Sequence, residues 1–131
     1  MPEIGPGSLY PLVPHNFLAL PPEQSSLEAA RVALIPVPYD STTSLRSGSR
    51  DGPEAMITAS AGLEGYDLLL ELDVSELWIH PTRSVQPHMA GPDPPTALIV
   101  HVVRAYLGLG LTVGLLGGVP SHTIRSVRAH V

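Results

Sequence analysis

The chain has no cysteine and no lysine among its 131 residues. Without cysteine there is no disulfide, no thiolate metal site and no sulfur nucleophile, and the absence does not discriminate between compartments, because reduced proteins also manage without it. Without lysine, Schiff-base chemistry, a phosphate-loop lysine and a lysine general base are excluded. All seven basic residues are arginines, set against twelve acids, for a net charge of -5. That excess disfavours nucleic acid and anionic membrane as partners. Neither Gly-x-Gly-x-x-Gly nor Gly-x-x-x-x-Gly-Lys-(Ser/Thr) occurs, so no nucleotide loop is expected. There is no His-x-x-x-His pair and no internal repeat.

The most apolar stretch, Ala97 to Val119, is interrupted by His101, Arg104 and glycines at 108, 110 and 114. Such a pattern fits a buried helix, a turn and a strand better than a membrane span. Met1-Pro2-Glu3 offers no basic segment and no apolar core follows it, so a secretory signal is not expected and a soluble, cytoplasmic protein is.

A chain of 131 residues is the size of one domain, and packing would remove about two-thirds of its unfolded surface from water. Residues 1–26 are expected to form a Pro- and Gly-rich amino-terminal arm, touching the rest only through Phe17 and Leu18, and residues 27–131 an α/β domain. Val32 to Val37 is uninterruptedly apolar, as a parallel strand covered on both faces should be. Pro36 and Pro38 donate no ladder hydrogen bonds, so its pairing is expected to end near them.

Asp51 or Gly52 can cap the following helix, with Pro53 entering it, Glu54 in its first turn, and Met56, Ile57, Ser60 and Ala61 as its inward stripe. Glu76 to His80 is expected to be the second strand, stopped by Pro81. After a connection at Pro87 to Pro92, Asp93 can cap a helix beginning at Pro94-Pro95, with Leu98, Ile99, Val102, Val103 and Leu107 at helical spacing and Gly108 or Gly110 as its stop. Leu111 to Leu116 is the third strand, turning at Gly117-Gly118 toward a last helix capped by Ser121. Strands alternating with helices in this way indicate parallel βαβ units with right-handed crossovers.

The chemistry concentrates between the first strand and its helix, in Tyr39-Asp40-Ser41-Thr42-Thr43-Ser44-Leu45-Arg46-Ser47-Gly48-Ser49-Arg50-Asp51-Gly52-Pro53-Glu54. A polar loop there lies at the carboxyl end of a sheet, where α/β folds bind ligands. Asp40 can act as counter-charge to a guanidino or amine substrate, with Thr42, Thr43, Ser44 and Arg50 as hydrogen-bonding groups. The alternative is purely structural: hydroxyls capping the helix, and Arg50 paired with Asp51 or Glu54. His15, His88 and His130 fall in loops or at the terminus, while His80 and His101 sit alone in apolar elements, where a satisfied structural imidazole is the expected role.

This stretch resembles the agmatinase branch of the arginase and agmatinase (ureohydrolase) family, through Pro36-Val37-Pro38-Tyr39-Asp40, Thr43-Ser44 and Gly48-Ser49-Arg50-Asp51-Gly52-Pro53-Glu54-Ala55-Met56-Ile57. Weaker matches are Asn16-Phe17-Leu18, Leu63-Glu64-Gly65-Tyr66-Asp67 and Leu115-Leu116-Gly117-Gly118, and together they correspond to the amino-terminal part of such a domain. The resemblance implies part of a three-layer α/β/α sandwich with a mostly parallel sheet and strand order second-first-third. It further implies a small guanidino substrate, with agmatine cleaved to putrescine and urea by hydroxide on a pair of manganese ions.

The family places its first metal-ligating histidine in a Gly-Gly-(Asp/Glu)-His-Ser turn, and this chain has Gly117-Gly118-Val119-Pro120-Ser121. Pro120 has no side-chain donor, and His122, two positions on, points elsewhere and is a poor substitute. The family's Asp-x-His-x-Asp ligands do not occur. No catalytic residue and no metal ligand can therefore be assigned, no manganese is expected to bind this chain alone, and the chain alone is expected to be inactive. It is then an enzyme completed from elsewhere, a non-catalytic binding or regulatory partner of a full-length homologue, or a degenerate remnant, with self-association or pairing with a homologue as its expected contacts.

Overall fold

The computed structural model describes residues 14–38, 48–85 and 95–117. Their elements in chain order are α1 (Pro22–Ser25), β1 (Val32–Val37), α2 (Gly52–Ser60), β2 (Tyr66–Asp67), β3 (Leu72–Asp73), β4 (Ile79–Pro81), α3 (Pro95–Gly108) and β5 (Thr112–Gly117). Short 3₁₀ turns lie at Phe17–Ala19, Ser49–Asp51 and Val74–Leu77.

The apolar run Val32–Val37 becomes β1, the middle of a parallel sheet ordered β4-β1-β5. This is the second-first-third order that the family resemblance implies. β4 pairs from Val32↔Ile79 to Leu34↔Pro81, and β5 from Val32↔Thr112 to Val37↔Gly117. Pairing ends at Val37, between Pro36 and Pro38 as expected, and on the β5 side it passes Pro36. The reason is phase: the Leu34 and Pro36 carbonyls accept from the Thr82 and Val85 amides, at 3.0 and 2.9 Å, so Pro36 lacks its N–H on the β4 side. The residues between them serve the β5 ladder, which the proline does not interrupt.

From β1 the chain moves outward to β4 and then crosses back to β5. Right-handed crossovers in both directions place the connecting helices on opposite faces, which gives three layers. α3 covers one face: Ile99 and Val103 are buried in a cluster with Ile35, Val37 and Val85, flanked by Leu98, Val102, Tyr106 and Leu107. Helical spacing selects all of these α3 positions except Tyr106. The helix ends at Gly108, and Gly110 makes the turn into β5 at φ 82. His101 lies exposed on the outer side of α3 and not in an apolar setting, a correction to its expected place.

α2 follows Asp51 with Pro53 in its first turn, although the Asp51 side chain makes no capping hydrogen bond. Its buried line is Pro53, half-buried Ile57 and Ser60, while Met56 is 41% exposed and Ala61 is exposed, so the expected stripe is off by part of a turn. The shift follows from what α2 meets. The Ser60 hydroxyl donates to the Ile57 carbonyl at 2.6 Å and accepts from the Leu18 amide at 2.8 Å, fixing the Phe17–Ala19 turn against the helix. That turn carries left-handed backbone at Leu18 (φ 64) and Ala19 (φ 49). Asn16 clamps it: its Oδ1 accepts from the Leu20 amide at 2.7 Å and its Nδ2 donates to the Leu20 carbonyl at 2.9 Å.

Two differences concern 66–81. β2 and β3 form an antiparallel hairpin that the sequence reading does not anticipate. The expected strand Glu76 to His80 is also shorter, because Val74–Leu77 is a 3₁₀ turn and Trp78 is left-handed (φ 49) before β4 begins. The Asp73 carboxylate accepts from the Ser75 amide at 2.9 Å and hydroxyl at 2.7 Å, a local bond that competes successfully with extension. No helix among the described residues is long and apolar enough to cross a membrane.

Candidate functional site

β1 and β5 end side by side, with Val37 and Gly117 as partners across the ladder. The loops leaving both strands therefore start at neighbouring points on the carboxyl edge of the sheet. Asp40, Thr42, Thr43 and Ser44 lie outside the described residues, as do Gly118, Val119, Pro120, Ser121 and His122, the connection at Pro87 to Pro92 with Asp93 and Pro94, His88 and His130.

Of the residues proposed for substrate contact, Arg50 is described: it is exposed in the Ser49–Asp51 turn that leads into α2. Gly48 precedes it at φ 127, a conformation that a side chain would strain, so this glycine sets the direction in which the loop enters the helix. Glu54, in the first turn of α2, meets His15 Nε2 at 2.7 Å with both side chains largely exposed, a contact of little stabilising weight in water.

Among the described residues no group of three or more His, Asp or Glu side chains converges to hold a metal. His80 has the structural role expected of it: its Nδ1 lies 2.8 Å from the Ser25 carbonyl, which can only accept, so Nδ1 carries the hydrogen. Its ring is tilted against Tyr106 at 6.3 Å. Beside them, between β4 and α3, opens a cavity of about 590 Å³, its apolar wall formed by Val85, Leu98, Val102 and Tyr106. Helical spacing marks Leu98 and Val102 for burial but does not show that they border an open space. The Ser75 hydroxyl, and secondarily its amide, hold the Asp73 carboxyl below the usual carboxylate range, outweighing a small opposing effect of burial.

A profile described as the arginase family matches residues 30–131. An N(1)-aminopropylagmatine ureohydrolase of Thermus thermophilus is 40% identical over 104 residues, covering 79% of this chain and 35% of that protein. Proteins of the same name from Synechocystis and Thermococcus kodakarensis are each 46% identical over shorter stretches, 54 residues (41% of this chain, 17% of theirs) and 50 residues (38% and 17%). The chain thus spans about a third of the length of the relative it matches over most of its own. No solved structure matches the chain significantly.

Proposed function

The chain belongs to the arginase family, and from that premise we propose that it represents the substrate-loop side of an agmatinase-type ureohydrolase. The observation that carries this is the 40% identity to an aminopropylagmatine ureohydrolase over 104 residues, a span that includes the loop into α2. In the proposed reaction water adds to the guanidinium carbon, the bond from that carbon to the alkyl-bearing nitrogen breaks, and urea and the free amine leave. The substrate class is an agmatine-like guanidino amine: agmatine itself, giving putrescine, or its aminopropyl derivative.

The family resemblance implies manganese for this step, and the residues present do not fit a manganese pair. Pro120 stands at the histidine ligand position and the 131 residues contain no Asp-x-His-x-Asp. What they offer is ligand contact through Asp40, Thr42, Thr43, Ser44 and Arg50, and not activation of water. Pro120 favours a second reading, a non-catalytic binding partner for a full-length homologue.

The test is to titrate the chain with agmatine and with N(1)-aminopropylagmatine while following amide resonances, and to assay urea in the same samples with and without manganese. Saturable shifts at Gly48 to Gly52 without urea are expected. Shifts no larger than those caused by putrescine would remove the guanidino-recognition reading. Urea formed in proportion to protein and lost with a chelator would show that the chain activates water after all.

A further inference from the structure

Residues 68–71 turn β2 back into β3, and three of the four are leucines: Leu68, Leu69 and Leu70 are 84, 95 and 71% exposed. Leu63 and Tyr66 beside them are also exposed. The turn is internally braced. The Asp67 carboxylate accepts from the Leu69 and Leu70 amides at 2.8 and 3.0 Å, Glu71 takes a left-handed φ of 50, and the Val74 amide donates to the Gly65 carbonyl at 2.7 Å. Leucines held outward in a fixed frame form the kind of apolar patch that marks an interaction site. Being preorganised, they lose little freedom on binding.

The surroundings narrow the occupant. Glu64, Asp67, Glu71, Asp73 and Glu76 flank the leucines along the chain, and no basic residue lies between 64 and 76. Two such hairpins placed face to face would bring like charges together, which is costly at an interface. The same chain also carries a receptacle of the opposite character, the cavity of about 590 Å³ between β4 and α3, apolar inside and bordered by the exposed Arg83 and Ser84. Its volume is that of a ligand cleft, roughly 300–1,000 Å³, and admits the branched ends of more than one leucine. Pro81 denies an incoming strand a backbone donor on the open side of β4, so the cavity is suited to side chains and not to strand addition.

We propose that the leucine hairpin of one copy seats in the β4–α3 cavity of a second copy, its flanking acidic residues facing Arg83. The two surfaces differ and each copy carries both, so the contacts either close, reciprocally in a two-fold dimer or around a larger ring, or run on as an open chain. The proposal is independent of any role in urea release.

Sedimentation of the 131-residue chain over a range of concentrations, alone and as two variants, tests it. The hairpin variant carries Leu68→Ser, Leu69→Ser and Leu70→Ser; the cavity variant carries Arg83→Glu and Ser84→Trp. All five side chains are exposed, and Leu69→Glu alone serves as a second hairpin variant. The parent is expected to form oligomers, each variant to associate at least tenfold more weakly, and the equimolar mixture to stop at dimers, since one intact hairpin and one intact cavity remain. A monomeric parent, variants that alone associate like the parent, or an equimolar mixture that fails to pair would each overturn the proposal.

Discussion

Ser60 shows how one hydroxyl decides where a helix faces. It is the buried polar side chain among the described residues, and it is satisfied on both counts, as acceptor for Leu18 and donor to Ile57. Ser60→Ala leaves the Leu18 amide without that acceptor next to two residues of left-handed backbone. Removing a buried partner costs about 1–3 kcal/mol. The melting temperature should therefore fall, and amide protection at Leu18 and Leu20 should fall further than elsewhere. Equal melting of variant and parent would show that the Asn16 clamp alone holds the turn. The serine's importance is not legible in the sequence, where it appears as one small residue on an apolar stripe. Its partner lies 42 positions away.

At the scale of elements, legibility follows the reach of the forces involved. β1 and α3 are legible because their apolar residues recur as burial between layers demands, and Ile35, Val37, Ile99 and Val103 do meet in the core. The strand around Glu76 is misplaced because its fate is set by Asp73, outside the apolar pattern. This carboxylate also makes the segment sensitive to acid. Its pKa is lowered in the folded chain, chiefly by the Ser75 hydroxyl and then by the Ser75 amide. A depressed carboxyl contributes stability above its unfolded pKa, about 3.9, and that contribution is lost as the pH falls through the lower folded value. The Ser75 amide resonance should titrate over that acidic window and move toward its unfolded position. Asp73→Asn, which keeps the acceptor and removes the charge, should abolish the transition. A transition that persists in the variant would assign it to another group.

At the scale of the molecule, the site was half legible: the sheet order brings the ends of β1 and β5 together as the family resemblance implies. The polar loop contacts could not be read from periodicity, because a loop follows no period and its hydroxyls serve caps and ligands equally well. The metal question is different, since it turns on donor atoms and a sequence states those directly. Pro120 supplies none, and a metal centre binds and reacts as a unit, so restoring one ligand is not expected to restore function. The Pro120→His variant, titrated calorimetrically with manganese and assayed for urea from agmatine and its aminopropyl derivative, should match the parent in both readouts. Tight binding of one or two manganese ions by the parent would mean that ligands converge from residues no family motif indicates. Tight binding by the variant alone would mean that Pro120 is the missing piece of a centre otherwise complete within these 131 residues, and the chain would then be a catalyst silenced by one substitution.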